Sequence, residues 1–385
     1  MTNLSKLRRI VFWEPCVSPH KAALLSALAR EGHLSVVCCA QDDLPSDRKA
    51  LGWSMDISEG SVDTFIAPNE STIQGLVNTD IEGSLHIFSG LRWFYNIEAG
   101  LQAVKRSGAM FAVYSEPRDD QGWKGALRLL QSWAEECWVR RNVSFILAIG
   151  RHGPAWFSRV GYSAEIIHPF AYFLPEPKLD AVEIIEASSQ LGCQEFNRLI
   201  RVGFVGRITI TKGVFYLLDA IKCLDGKASL TLVGDGDARS KIVSLVQQSH
   251  LDVDMTGALP MASVQNKMEG FDVLVLPSIT KDDGWGAVVS EALMLGCAVV
   301  ATSCVGASIL LDRSQNGRVV PPNDSKAIAD AILQIRDSGL LSSESRTERS
   351  LWALQRLTAS AGAKQLIRII EHHRNDGQRP QPFFE

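Results

Sequence analysis

Two groups of residues in this 385-residue chain have the types and spacing to handle an anionic, hydroxyl-rich ligand. The first is Gly206-Arg207, closing an apolar run, followed by Lys212-Gly213 at the start of a helical pattern. Two cations five residues apart, beside the amides of a helix N-terminus, suit a diphosphate. Arginine can grip two oxygens at once, whereas lysine acts as a point charge. Taken alone, such a pair is usually just a solvated surface pair. The second group follows the apolar run 274–277 and ends in a helix that starts at Ala287. Gly284 and Gly286 flank Trp285 and let the backbone approach a ligand closely. The helix start, at Val288 and Val289, offers amides and a positive dipole end to an anion. Asp283 and Glu291 lie eight residues apart around this turn. A carboxylate there can accept hydrogen bonds from two vicinal hydroxyls of a sugar or ribose. The competing reading is an N-cap aspartate and a surface glutamate.

The elements that must hold these residues read as short strands alternating with helices. Residues 9–13, 34–40, 84–89, 109–115 and 136–139 read as strands, and Ser18-Pro19 opens the first helix with a capping serine and a proline at its first position. After a break at 175–197 the pattern restarts with strands at 199–205, 229–233, 272–276 and 297–302 and helices at 213–224, 287–295 and 325–336. Strands separated by helices imply right-handed crossovers and parallel sheets. The expected architecture is two doubly wound α/β domains with a cleft between them. Ligands in such sheets sit beyond the carboxyl ends of the strands, which is where both groups fall.

Four stretches, in this order and at this spacing, resemble glycosyltransferase family 4: FVGRITITKGVFYLLDAI, LTLVGDGD, VLVLPSITKDDGWGAVVSEALMLGCAVVAT and NGRVVPPND. The resemblance is strong over residues 196–340 and fainter before them. It implies the GT-B fold, a nucleotide diphosphate sugar donor and retention of anomeric configuration. Arg207 and Lys212 stand where the family holds the donor diphosphate, and Glu291 where a glutamate binds the ribose. Asp283 stands where the family has a glutamate near the donor sugar, one methylene longer, and is the expected catalytic carboxylate of this half. Gly284, Trp285 and Gly286 stand with Glu291 on the donor sugar and ribose side, with Trp285 in place of the more usual Phe. The resemblance also implies a domain division: 1–173 on the acceptor side, a linker at 174–197, a nucleotide-sugar domain at 198–358, and a helix and tail at 359–385 that packs back on the first domain. Glu116, ending the apolar run 111–115, stands near a family histidine and is the facing catalytic candidate. Ser18 and His20, in the turn after the first strand, are the acceptor-side candidates.

Other motifs carry less. Gly234-Asp235-Gly236-Asp237-Ala238-Arg239 follows a strand but lacks the third glycine of a dinucleotide fingerprint. The eight cysteines include no CxxC pair, so a zinc framework is not expected. No metal and no other cofactor is expected, because Asp282 and Asp283 are adjacent and Asp283 already has a role. A net charge of −4 and a pI near 6.1 give no nucleic-acid footprint. The partners expected are a UDP- or GDP-sugar and a glycan or lipid-linked acceptor. With 46% hydrophobic and 21% charged residues the chain is globular. The apolar run 10–13 is too short for a signal core, so a cytoplasmic location is expected. Trp123 to Arg141 is rich in Trp, Leu and Arg; core packing is the favoured reading, and rest on the inner face of a membrane the alternative. A nucleotide-sugar epimerase and a silent nucleotide-binding protein are the functional alternatives.

Overall fold

The computed structural model describes residues 7–31, 34–45, 49, 62–176, 199–249, 251–281, 284–375 and 377–385. Asp283 and most of the expected linker lie outside the described residues. Within them the chain forms two compact α/β units, one of residues 7–176 with 358–385, the other of residues 199–357.

The first unit is a seven-stranded sheet built from β1 (Arg9–Cys16), β2 (Ser35–Asp42), β3 (Asp63–Ile66), β4 (Ser84–Ser89), β5 (Met110–Ser115), β6 (Ile146–Ile149) and β7 (Ile167–Phe170). All neighbours pair parallel, in the order β3-β2-β1-β4-β5-β6-β7. Helices α1 (Pro19–Glu31), α2 (Glu70–Asn78), α3 (Tyr95–Ser107), α4 (Gly122–Glu135), α5 (Cys137–Asn142) and α6 (Gly153–Val160) connect them. Residues such as Ile10, Val11, Phe12 and Trp13 are buried on both sheet faces, as parallel sheets require.

The second unit holds β8 (Ile200–Val205), β9 (Ala228–Val233), β10 (Val253–Gly257), β11 (Val273–Leu276), β12 (Ala298–Thr302) and β13 (Gly317–Val320), ordered β10-β9-β8-β11-β12-β13. Its helices are α7 (Val214–Cys223), α8 (Arg239–Ser249), α9 (Met261–Glu269), α10 (Ala287–Met294), α11 (Ser325–Asp337) and α12 (Ser343–Leu357). The last helix, α13 (Ala359–Asn375), returns to the first unit, where Lys364 Nζ lies 3.4 Å from Glu31 on α1. In each sheet the order reverses once beside its first strand, between β1 and β4 and between β8 and β11. Such a reversal leaves a crevice at the carboxyl edge that loops from both sides must line.

Two sequence expectations need correction. Residues 136–139 are not a strand: Glu136 donates its N–H to the Ser132 carbonyl and accepts from Arg140 N–H, continuing a helical turn into α5. Cys137-Trp138-Val139 is too short an apolar run for its period to separate strand from helix. The strand falls at β6 instead. Core packing of α4 is the second correction. Its buried positions are the small residues Gly125 and Ser132. Trp123, Leu127, Leu130 and Trp133 are 71%, 55%, 61% and 56% exposed.

Candidate functional site

The two nominated loops of the second unit meet at its switch point. Arg207 and Lys212 lie in the loop after β8, and the 278–286 loop follows the neighbouring strand β11. Ile279 N–H donates to the Thr211 carbonyl at 2.8 Å, joining the loops. Gly213 adopts φ +70° with its α-carbon against the Pro277 backbone, where a β-carbon would lie 2.0 Å from the carbonyl oxygen. Only glycine fits there. The Gly234 to Arg239 loop has a packing explanation as well: a β-carbon at Gly234 would meet the Gly206 oxygen at 1.9 Å. Its glycines let the loops after β8 and β9 abut. Arg207 is exposed and Lys212 half-buried.

Helix α10 begins at Gly286, in the left-handed region at φ +79°, with no side chain capping its first turn. Ala287 and Val288 are therefore the amides at the helix mouth. Val289 is a correction to the expected diphosphate contacts, because its N–H donates to the Gly286 carbonyl at 3.0 Å. Trp285 is a second correction. Its indole is fully buried and its Nε1–H donates to Ser290 Oγ at 3.1 Å, so it shapes the loop rather than offering a face to a sugar. The Gly284 carbonyl accepts from Gly306 N–H at 2.9 Å, so the backbone on that side of the indole is tied to the following loop. Burial pushes the Glu291 carboxyl up to about 7 from its usual 4.5. Carboxyls strongly perturbed by desolvation in a crevice are candidates for function.

At the switch point of the first unit lies a cavity of about 510 Å³. Ser18 and Glu116 line it; His20 is not among the lining residues. Ser18 Oγ accepts from the Lys21 N–H at 3.4 Å, the expected capping geometry. Desolvation pushes the His20 imidazole down to about 4, so it is neutral at physiological pH. Glu116 hydrogen-bonds the Tyr172 hydroxyl, whose own pKa is raised by burial and by this carboxylate.

The cavity floor holds a pair that the sequence reading did not nominate. Lys21 Nζ lies 2.8 Å from Glu14 Oε1, both side chains almost fully buried. The ammonium also donates to Ser89 Oγ at 2.9 Å and sits 3.2 Å from the centre of the Tyr114 ring. Burial lowers the Lys21 pKa, and Glu14 opposes the shift. Arg92 and Arg118 stand in the wall with Trp93, Trp156 and Phe157. Arg92 is held by Glu136 at 2.8 Å and Glu135 at 3.1 Å. One signal was present in the sequence. Lys21 falls four residues before Leu25 and seven before Leu28, on the apolar face of its helix, where a charge needs a buried partner. Which acid supplies it is a tertiary fact.

The overall fold is GT-B. The crystal structure of Anabaena Alr3699/HepE in complex with UDP superposes with a TM-score of 0.69 at 19% identity, covering 94% of this chain and 99% of that one. Residues 200–338, which carry the two loops, match the sequence family described as "Glycosyl transferases group 1". The chain is 25% identical to the alpha-D-kanosaminyltransferase of Streptomyces kanamyceticus over 62% of its own length and 63% of that protein's. It is 30% identical to the phosphatidyl-myo-inositol mannosyltransferase of Mycobacterium leprae over 52% of its own length and 56% of that protein's. The chain thus spans less than two thirds of the length of these relatives. No helix among the described residues is long and apolar enough to cross a membrane.

Proposed function

We propose that the chain transfers a glycosyl group from a UDP- or GDP-sugar to a hydroxyl of a glycan or lipid-linked acceptor, with retention at the anomeric carbon. The observation that carries this reading is the meeting of the Arg207/Lys212 loop with the mouth of α10 at one switch point. As the bond to the donor sugar breaks, negative charge develops on the leaving diphosphate. Arg207, Lys212 and the amides of Ala287 and Val288 are donors set in advance for that charge, which is how a barrier is lowered without reorganisation. Glu291, once ionised, accepts from the ribose hydroxyls, and Asp283 acts on the donor sugar. UDP bound to Alr3699/HepE supports the donor class, and the kanosaminyl and mannosyl transfers in the relatives' names support a glycosyl group as what is moved. No divalent metal takes part.

The cavity over Glu14, Lys21, Glu116 and Tyr172 is the acceptor subsite in this reading. Carboxylates and guanidinium groups suit sugar hydroxyls, and the exposed Trp93 offers a ring for a sugar face. Retention rests on the family resemblance. The exposed row Trp123, Leu127, Leu130 and Trp133, with Lys124 beside Trp123, supports peripheral contact with an anionic membrane surface, where a lipid-linked acceptor would be met.

A panel of nucleotide sugars tested by thermal shift, then by product formation with glycan and lipid-linked acceptors, tests the reading. Acceptor-dependent release of UDP or GDP supports it. Conversion of the donor sugar without acceptor would make the chain an epimerase, and binding with no turnover of any acceptor would make it a silent binder; either outcome refutes the proposal.

A further inference from the structure

Three histidines far apart in the sequence converge at the edge of the first unit. His168 sits on β7, the last strand of the sheet, and His372 and His373 are in the final turn of α13. Each offers one ring nitrogen, and the three nitrogens lie within 4.8 Å of one another. His168 Nε2 and His373 Nε2 are 2.8 Å apart. His372 Nδ1 lies 2.6 Å from the Gly377 carbonyl oxygen. A carbonyl can only accept, so Nδ1 carries the proton and Nε2 the lone pair. A backbone carbonyl that fixes the tautomer in this way is the usual support of a metal-bound imidazole. Phe145 stacks on His373 at 5.2 Å between centroids and meets His168 edge-on, giving the group a rigid apolar wall.

We propose that His168, His372 and His373 form a binding site for a divalent d-block cation, with Zn²⁺ the best match, that clasps the end of α13 to strand β7. Three neutral imidazoles without a carboxylate in the group favour Zn²⁺, Cu²⁺ or Ni²⁺ over Mg²⁺ and Ca²⁺, which seek oxygen ligands. With three protein nitrogens, water completes a tetrahedron. Zinc–nitrogen bonds of 2.0–2.1 Å place ligand nitrogens about 3.3 Å apart, so His168 and His373 must separate slightly from their present hydrogen-bonded contact. The Nε2 proton they share passes through solvent to Nδ1 of the same ring. Both rings stay neutral and no proton is lost overall. Desolvation holds His168 and His373 in the neutral form that binds metal. The guanidinium of Arg379 opposes the ion, and it donates to the carbonyls of Ala164 at 2.8 Å and Ile167 at 2.5 Å. Those carbonyl dipoles offset part of its field.

This assignment does not depend on the glycosyltransferase reading, since neither nominated loop nor the cavity includes these residues. The test is calorimetric titration of the full chain, stripped with a chelator, with ZnCl₂ alone. One ion should bind per chain in the micromolar range or tighter, and the melting temperature should rise by several degrees at saturation. His168→Gln, His372→Gln and His373→Gln should each weaken binding by about tenfold or more, while His152→Gln should not. Because His372 is half-buried, its variant is expected to fold, and circular dichroism checks that it does. Absence of one-to-one binding in the micromolar range would overturn the assignment. So would binding that persists undiminished in the folded His372→Gln variant together with either partner variant, leaving the three rings a hydrogen-bonded clasp only.

Discussion

Replacing Glu291 by Gln removes a single ionisable proton and keeps the shape, which makes its consequences calculable. Burial moves the carboxyl to about 7 from 4.5. At 1.36 kcal/mol per unit, ionising it inside the fold costs up to about 3 kcal/mol relative to the unfolded chain. The sign follows from which state holds the proton longer. Here the folded state does, so stability contributed by this group is intact below about pH 4.5, falls as pH rises toward 7, and stays lost above it. Glutamine never ionises. Glu291→Gln should therefore match the wild type near pH 4.5 and exceed it at pH 8 by up to about 3 kcal/mol, a gain of several degrees in melting temperature. Nucleotide binding should move the other way. Only the ionised carboxylate accepts from both ribose hydroxyls, so wild-type affinity for UDP should be about tenfold weaker at pH 6 than at pH 8 through this group. The variant should lose about 1.5–3 kcal/mol of binding at pH 8 and lack that step. Scanning calorimetry and UDP titrations from pH 5 to 8 at constant ionic strength measure both effects. Taking wild type minus variant cancels the ionisation of UDP itself. Parallel stability–pH curves would refute a proton held by burial, and unchanged UDP affinity at pH 8 would refute the ribose contact.

Further outcomes are expected. Arg207→Ala and Lys212→Ala should each weaken UDP binding by about 1–3 kcal/mol, with a larger effect at low salt because Arg207 is exposed; unchanged calorimetric affinity in both would exclude a diphosphate site there. Lys21→Met strands a buried carboxylate and should destabilise the first unit by about 3–5 kcal/mol in urea unfolding. Adding Glu14→Gln should recover part of that loss, and strict additivity would mean that the pair is not coupled. The double variant Trp123→Ser/Trp133→Ser should lower co-sedimentation with anionic vesicles by about tenfold or more without changing turnover of a soluble acceptor; equal vesicle binding would remove α4 as the contact. Transfer should persist in excess EDTA, even if the chelator reverses a zinc-induced rise in melting temperature. Loss of activity restored by Mg²⁺ or Mn²⁺ would refute a metal-free reaction centre.

Local chemistry reached the second unit almost directly. Strands β8, β9, β11 and β12 are short, largely apolar runs ended by glycine, proline or polar residues, and the loops after β8 and β11 carry their cations, glycines and acids in contiguous motifs. Side chains within one loop are neighbours whatever the fold, so types and spacing are enough to nominate Arg207, Lys212, Gly284, Gly286 and Glu291. What those residues face is another matter. Trp285 reads as a ligand-side aromatic in the sequence, yet its indole fills the core, because a loop bounded by two left-handed glycines folds inward between them.

In the first unit, contacts between distant segments decided most of the site. The 136–139 segment needed the hydrogen bonds of α4 and α5 to show that it is helical. The Trp and Leu content of residues 123–141 suggested a core-facing segment, but only packing showed that Gly125 and Ser132 of α4 face inward while the tryptophans face out. The buried partner of Lys21 could be any acid brought to the same floor, and it was the order of strands that brought Glu14, Tyr114 and Tyr172 there. His168 and His373 stand 205 residues apart, and they meet because the last helix leaves the second unit and returns to the edge of the first sheet. The sequence determined which chemistry each segment could offer; the chain's path through space determined which segments could combine it, since desolvation and hydrogen bonding act over a few ångströms regardless of separation along the chain.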